Sequence, residues 1–307
     1  MNDEKIITFN PWQDFNDVSG IIDPADIEPD IEQLEIFLDV VFSYCEGLIP
    51  VRGFVDKGTG RDGRPNNIWI DADGDALGKL STFTNWAWRQ GAAVYVVPGT
   101  VSSPGMARSE DIIEMQTIVV DLDDGDITRK LNHLVDHLGA PTLLVESGGR
   151  TPEGLQKCHV WWKLTEPVRD GDIERLCQIR GEIARKIGGD WHFRSAHQPI
   201  RVAGSVYHKG GFVRAVRILE HNPKIELEFE DFAERVRAMP AFPGVLYAGT
   251  PEREKPPIDD VLLTPLREAG QDRMTRFEGV SVVIGYHIRQ VHQGRITPEE
   301  AWETICG

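Results

Sequence analysis

Two aspartates separated by one residue are the part of this sequence best suited to chemistry. Asp121 and Asp123 follow the apolar run Ile118–Val120 and precede a turn at Asp124–Gly125. Because side chains alternate faces along a strand, both carboxylates would point to the same side. Two neighbouring carboxylates repel unless a cation lies between them, and their hard oxygen atoms favour Mg²⁺ or Mn²⁺. The pair therefore predicts a divalent-cation site of the kind that handles phosphates.

A segment of small residues and a histidine follow this pair along the chain. Ser147, Gly148 and Gly149 predict a turn whose backbone N–H groups could approach a phosphate, since glycine has no Cβ in the way. His159 begins a strongly β-prone aromatic run and could donate a hydrogen bond to a phosphate. A hydrogen-bonded core histidine is the alternative interpretation of His159.

The next polar positions are Asp190, after two glycines, and a basic stretch beyond it. Residues 191–219 contain no acidic side chain but carry Arg194, Arg201, Lys209, Arg214 and Arg217. Four side chains of this stretch could donate to phosphate groups, namely Arg201, Ser205, His208 and Lys209. Asp190 could instead cap a helix, and His208 and Lys209 could be ordinary residues of a hairpin.

Predicted helices and strands must bring these residues together. Helical spacing of apolar residues predicts helices over 31–48, 127–138, 173–187 and 273–293. Apolar runs predict strands over 92–97, 116–122, 142–145 and 158–164, and Lys209–Gly211 predicts a hairpin within 199–218. Asp71 and Asp73 repeat the two-acid pattern, but a short strand ending in an acidic turn explains them better than a second metal site.

Composition sets limits on the class of protein. The chain has 307 residues, of which 40% are hydrophobic and 27% charged, as is ordinary for a globular protein. A net charge of −16 argues against tight duplex binding, although a small basic segment suits transient engagement of a template or nucleotide. No apolar run is long enough for a membrane span, and no signal peptide is evident. Four scattered cysteines without a Cys-x-x-Cys pair predict a cytoplasmic location and no structural zinc site.

Taken in order, these features resemble the motifs of the archaeo-eukaryotic primase superfamily, particularly the primase-polymerases of plasmids, phages and integrated elements. The first family motif, an apolar strand with Asp-x-Asp/Glu, is matched by Val119–Asp123. The second is a small residue, any residue and then His, introduced by a Ser-Gly-Gly type of turn. Ser147–Gly149 and His159 match it, with Lys157 in place of the small residue.

The remaining family motifs match less completely. The third is a single acidic residue, for which Asp190 is our candidate, with Asp170 and Asp172 as alternatives. Arg201–Ser205 together with Lys209 resembles the Arg-x-Pro-Gly-Ser/Thr…Lys signature of the mobile-element members, with alanine in place of proline. The resemblance covers roughly residues 90–220.

This resemblance implies an α+β fold, in which an RNA-recognition-motif-like primase core carries an N-terminal α/β module and a C-terminal helical segment. It implies template-directed nucleotidyl transfer, as in a DNA primase or primase-polymerase, with Mg²⁺ or Mn²⁺ held by Asp121, Asp123 and Asp190. The implied nucleotide-binding residues are Ser147, Gly148, Gly149, His159, Arg201, Ser205, His208 and Lys209. The implied partners are a single-stranded DNA template, nucleoside triphosphates and a helicase domain or protein.

We expect three segments along the chain. Residues 1–240 would form the catalytic domain, with an N-terminal module at about 31–110 and the motif-bearing core at about 90–220. Residues 241–257 would be a linker, and 258–307 a helical segment that we expect to be truncated.

Two other functions remain alternatives. A metal-dependent nucleotide-sugar glycosyltransferase also uses an Asp-x-Asp pair at a strand end, but it leaves His159 and residues 201–209 without a role. A replication-initiator domain could keep the primase fold without its chemistry, and the acidic composition is compatible with that.

Overall fold

The computed structural model of the chain describes residues 27–55, 65–245, 283–288, 290–291 and 295–306. The chain divides into two compact units, Met1–Leu246 and Tyr247–Gly307. No helix within the described ranges is both long and apolar enough to cross a membrane.

The second unit is described only in part. Residues 283–288 are helical, and a further helix spans Pro298–Cys306. Thr297 Oγ1 accepts a hydrogen bond from the backbone N–H of Glu300, as the sequence of this helix start predicts. Most of the predicted linker 241–257 and part of the predicted helix 273–293 lie outside the described residues.

The first unit combines helices with a large sheet. Its helices are α1 (Ile31–Phe42), α2 (Ala76–Gln90), α3 (Ile127–Leu138), α4 (Gly171–Ile187) and α5 (Phe229–Ala238), with 3₁₀ turns at Ser109–Asp111 and Trp191–Arg194. Its strands are β1 (Leu48–Val55), β2 (Asn66–Asp71), β3 (Ala92–Val96), β4 (Thr100–Val101), β5 (Ile112–Leu122), β6 (Leu143–Arg150), β7 (Gln156–Arg169), β8 (Ile200–Arg201), β9 (Val206–Lys209), β10 (Phe212–Ala215) and β11 (Arg217–His221).

Nine of these strands form one sheet in the order β11-β6-β7-β5-β4-β1-β3-β8, with β2 paired to β1. The other two, β9 and β10, form a hairpin. Every named strand pair in the described residues is antiparallel. The predicted α+β fold is thereby confirmed, and its sheet is antiparallel.

Helices cover both faces of the central strands, and β5 shows how the sequence arranges this. Ile118, Val120 and Leu122 face the hydrophobic core shared with α3, α4 and α5. Val119 points the other way, into the core formed with α1 and α2. Asp121 continues the Val119 side of the strand, because side chains alternate. The candidate site therefore lies on the α1–α2 side of the sheet.

The observed ends of helices α1 and α3 can be compared with the ends predicted from the sequence. Helix α3 occupies the predicted range, because the carboxylate of Asp126 accepts from the N–H of Arg129 at 3.0 Å and Gly139 ends the helix. Helix α1 stops at Phe42, short of the predicted residue 48. The chain turns at Gly47, where φ is +91°, and then enters β1.

The turn predicted at Ser147–Gly149 is wrong. These residues belong to β6, whose pairing register with β7 shifts between Glu146 and Arg150. Gly148 has φ +75°, and a Cβ placed on it would lie 2.6 Å from Cβ of Tyr207. Glycine is required because the β9 strand passes this close, and the irregular end of β6 takes the place of a turn.

Candidate active site

Asp121 and His159 are cross-strand neighbours at the centre of the site. Asp121 on β5 stands opposite His159 on β7, which in turn stands opposite Val145 on β6. Nε2 of His159 lies 3.8 Å from Oδ1 of Asp121, and the imidazole is only 3% exposed. The sheet register therefore places the first aspartate and the histidine on one face.

Two other carboxylates, those of Asp123 and Asp190, influence the pKa of Asp121. Burial is the largest cause that raises the pKa of Asp121 from 3.8 to about 7; the negative charges of Asp123 and Asp190 act in the same direction, while Arg201 and Lys157 oppose them. Asp170 and Asp172 are not among its principal influences. Asp172 pairs with Arg175 on the surface of α4 instead. Of the three candidates for the third acid, Asp190 is the one whose charge reaches Asp121.

Asp123 lies at the more exposed end of the pair. Its Oδ2 is 3.8 Å from Nζ of Lys157. Lys157 stands where the family motif has a small residue, so this departure supplies a cation at the edge of the acidic site. The sequence alone gave no signal for this contact, because it depends on the pairing of β5 with β7.

Asp190 is positioned by the two glycines before it. A Cβ on Gly189 would lie 3.2 Å from the backbone oxygen of Asp121, so this segment can pass close to the end of β5. Oδ1 of Asp190 accepts from the N–H of His192 at 2.8 Å and caps the 3₁₀ turn Trp191–Arg194. The capping role considered from sequence is present, and it fixes the carboxylate near the other two acids.

His159 is held in its neutral form. Burial, and to a smaller extent the nearby charge of Arg201, lowers its pKa to about 3. Its Nδ1 is buried without a hydrogen-bond partner among the described residues. A neutral imidazole keeps one N–H donor and one acceptor, so it can bind a ligand oxygen without titrating near pH 7.

Arginines and an aromatic ring border the site on the β9–β10 side. Arg201 donates from Nη1 to the carbonyl of Ser147 at 3.3 Å, and Arg214 donates to that of Gly148 at 3.0 Å. The ring of Tyr207 lies 4.6 Å from the Arg201 guanidinium and 5.9 Å from that of Arg214. Tyr207 and Arg214 are cross-strand partners in the hairpin, a relation that its alternating pattern could have suggested.

The other residues predicted for phosphate binding lie apart from the acids. The buried hydroxyl of Ser205 donates to the carbonyl of Val202 at 2.6 Å. His208 is half-buried and points to the hairpin face opposite Tyr207, while Lys209 is exposed at the hairpin end. These three side chains are not brought together with Asp121 and His159.

The donor set suits a hard divalent cation. No group of three or more His, Cys, Asp and Glu side chains in the described part of the chain has the spacing of a preformed metal site. Asp121, Asp123 and Asp190 nevertheless supply oxygen ligands, and after burial the charges of Asp123 and Asp190 help to raise the pKa of Asp121. A divalent cation between them would relieve the repulsion between these charges, so the residues fit such an ion.

Comparison with known proteins identifies the fold. No family model and no curated protein matches the sequence. Among solved structures, the chain is similar to the AEP domain of the cyanophage S-2L primase-polymerase, with a TM-score of 0.51 and 16% identity over 69% of this chain and 99% of that one. It is also similar to primase RepB′, with a TM-score of 0.46 and 15% identity over 67% of this chain and 62% of that one.

A further structure, the catalytic domain of primase RepB′ in complex with initiator DNA, is similar with a TM-score of 0.45 and 16% identity over 67% of this chain and 94% of that one. The S-2L domain is matched over almost its whole length. The first unit of this chain, which carries the antiparallel sheet, is long enough to contain a domain of that size. The first unit of this chain has the fold of an archaeo-eukaryotic primase domain.

Proposed function

We propose that this chain catalyses template-directed nucleotidyl transfer as a DNA primase or primase-polymerase that uses Mg²⁺ or Mn²⁺. The observation that carries the proposal is the meeting of three carboxylates with a neutral histidine. The negative charges of Asp123 and Asp190 help to raise the pKa of Asp121, and the imidazole of His159 lies beside the Asp121 carboxylate. Oxygen ligands for cations and a neutral donor for a polyphosphate are what this reaction requires of a protein.

The three acids act as ligands in this mechanism. Asp121, Asp123 and Asp190 would hold the divalent ions. When bound, such ions lower the pKa of a primer 3′-hydroxyl and neutralise the charge that develops on the leaving pyrophosphate. The ammonium group of Lys157, 3.8 Å from the carboxylate of Asp123, partly offsets the negative charge at the exposed edge of the acidic site.

His159 and Arg201 hold the nucleoside triphosphate. The neutral imidazole donates its remaining N–H to a phosphate oxygen, and the guanidinium of Arg201 is near enough to influence the pKa of both Asp121 and His159. The carbonyls of Ser147 and Gly148 accept from arginines, so the β6 end serves to orient Arg201 and Arg214. Gly149, Ser205, His208 and Lys209 stay candidates for nucleotide contacts at the edge of the site.

The glycosyltransferase alternative uses less of this arrangement. A nucleotide-sugar enzyme needs the aspartate pair and a cation, but it gives no role to a neutral buried histidine beside them. A non-catalytic initiator domain gives no role to a buried carboxylate whose pKa is raised by burial and by two neighbouring acids. A single-stranded DNA template, nucleoside triphosphates and a helicase partner remain the partners that we propose.

An incorporation assay tests the proposal. The full chain, with Mg²⁺ or Mn²⁺, a single-stranded DNA template and labelled ribo- or deoxynucleotides, should yield labelled polymer. The double substitution Asp121→Ala, Asp123→Ala should abolish it, since no cation would be held. Hydrolysis of a nucleotide sugar without polymer would favour the glycosyltransferase, and the absence of both products would favour the initiator domain.

The chain contains a matched control. Asp71 and Asp73 form a second Asp-x-Asp pair at the end of β2, where Oδ1 of Asp71 accepts from the N–H of Asp73. The substitutions Asp71→Ala, Asp73→Ala remove the same number of charges from a turn outside the site. Polymer synthesis should survive them, and equal loss in both double variants would show that the assay reports folding rather than chemistry.

A further inference from the structure

A cavity of about 940 Å³ lies beside α4 in the first unit, outside the acidic site. Helix α4 forms one wall, and the two 3₁₀ turns Ser109–Asp111 and Trp191–Arg194 contribute to the other. Arg185 and Arg194 line it at the end where Trp191 lies, and its uncharged polar lining residues are Ser109, Gln178 and Ser195. From Gly171 to Arg185 the helix wall is about 21 Å long at 1.5 Å per residue, which is enough for several nucleotides.

Trp191 stands at this end of the cavity between two guanidinium groups. The indole is 39% exposed, and its ring centroid lies 4.6 Å from Arg194 and 5.1 Å from Arg185. A Cβ on Gly181 would lie 3.2 Å from the indole, so glycine in α4 is what lets the tryptophan lie against the helix. A large exposed ring flanked by cations is the arrangement that stacks nucleobases and holds the phosphates beside them.

The two arginines beside Trp191 favour an anionic ligand there. Neither Arg185 nor Arg194 forms an ion pair within the ranges that the structure describes. Nε of Arg185 is buried without a hydrogen-bond partner among those residues. Arg180 is fully buried one turn away on α4, and its three guanidinium nitrogens also have no described partner. The cavity is also lined by three acids, Glu110, Asp170 and Glu174, of which Glu174 accepts from the side chain of Gln178 at 3.3 Å.

The same short turn connects this cavity with the acidic site. Asp190 caps the 3₁₀ turn that carries Trp191, and its charge reaches Asp121. We propose that Trp191, Arg185 and Arg194 form a subsite for single-stranded nucleic acid, in which the indole stacks on one base and the arginines hold the flanking phosphates. This inference rests on the proposed function, because it assigns the template strand a path from the acids along α4.

Binding of a labelled oligothymidylate to the full chain, followed by fluorescence anisotropy, tests the subsite. Trp191→Ala should weaken binding by about 5- to 100-fold, the range expected for losing one base–aromatic stack. Trp191→Phe should recover part of the affinity. Trp86→Ala is the matched control, because Trp86 on α2 is equally exposed at 37% and packs on Phe83. Equal affinity of wild type and Trp191→Ala would overturn the proposal.

A second measurement does not depend on a variant that folds. Photochemical cross-linking of a bromodeoxyuridine-containing strand to the wild-type chain should attach it within residues 185–194. Cross-links found only elsewhere would overturn the subsite. Competition by free deoxythymidine triphosphate at its own concentration as effectively as by the strand would also overturn it, because the cavity would then be a mononucleotide pocket.

The two proposals fail in distinguishable ways. The Asp121→Ala, Asp123→Ala variant should lose polymer synthesis but bind the oligonucleotide as the wild type does. Strand binding through Trp191 in a chain that makes no polymer would refute the proposed function and support the subsite. Polymer synthesis that is unchanged in Trp191→Ala at limiting template would refute the subsite alone.

Discussion

Replacing the buried cation Arg180 by methionine should make the protein more stable. The side chain is 0% exposed, and none of its three guanidinium nitrogens has a hydrogen-bond partner in the part of the chain that the structure describes. Burial lowers the pKa of Arg180 from 12.5 to about 10. At about 1.36 kcal/mol per pKa unit, the folded state holds this charge at a cost on the order of 3 kcal/mol.

Two terms reduce the gain from the substitution. The guanidinium lies 5.7 Å from the ring of Phe193, and that contact contributes about 0.5–1 kcal/mol. Methionine is also shorter and leaves some space unfilled, which costs about 1 kcal/mol. Arg180→Met should therefore raise the free energy of unfolding by about 1.5 kcal/mol, or the melting temperature by about 3–6 °C for a unit of this size.

Lys186 on the same helix is the control, with the opposite sign. It is 4% exposed, but its Nζ donates to the carbonyls of Val236 and Arg237 and pairs with Glu182 at 2.9 Å. Lys186→Met should cost about 2–4 kcal/mol, because buried acceptors lose their donor. Urea unfolding followed by circular dichroism measures both variants. A loss of more than about 1 kcal/mol in Arg180→Met would refute the reasoning, since it would mean that the guanidinium has strong partners.

Three further outcomes follow from the site. In the presence of a chelator at pH 8, Asp121→Asn should raise the free energy of unfolding by about 2 kcal/mol. Because the pKa of Asp121 is raised in the folded state, the stability of the wild type should fall from pH 4 to pH 7. Urea titrations of the variant should not show that fall. Millimolar Mn²⁺ should raise the free energy of unfolding of the wild type, by about 2.7 kcal/mol at a hundred times the dissociation constant, and with it the melting temperature, but should leave the Asp121→Ala, Asp123→Ala variant unchanged. Gly148→Ala should cost about 2–4 kcal/mol in thermal unfolding, because φ is +75° and the new Cβ would meet Tyr207; an unchanged melting temperature would contradict the close packing.

The strands that carry the site could be predicted because their apolar runs are long and unambiguous. Leu122 ends both the predicted strand 116–122 and β5, although β5 starts earlier, at Ile112. The convergence of Asp121 and Asp123 is a prediction from strand alternation alone. The turn expected at Ser147–Gly149 failed for a tertiary reason. Small residues that resemble a turn are needed there because β9 crosses the end of β6, and no local pattern reveals that crossing.

The contacts around the acids could not be predicted, because they join distant parts of the chain. Lys157 meets Asp123 only through the register of β5 with β7. The stack of Arg201 on Tyr207 depends on the path from β8 to β9. The resemblance to a family motif named both Arg201 and Ser205, but it gave no basis for separating Arg201, whose charge reaches Asp121, from Ser205, whose hydroxyl is engaged locally.

An acidic chain can bind a nucleic acid if its unpaired cations are gathered where the ligand lies. The net charge is −16, yet many of the basic side chains already form ion pairs with carboxylates of the same chain. Carboxylates pair with Lys163, Arg169, Arg175, Lys186 and Arg217. Arg185, Arg194, Arg201 and Arg214 have aromatic rings or carbonyls as neighbours instead, and no ion pair within the described ranges. These four arginines lie in the segments that precede and follow Asp190 in the sequence. Local charge rather than net charge therefore decides whether a strand can bind.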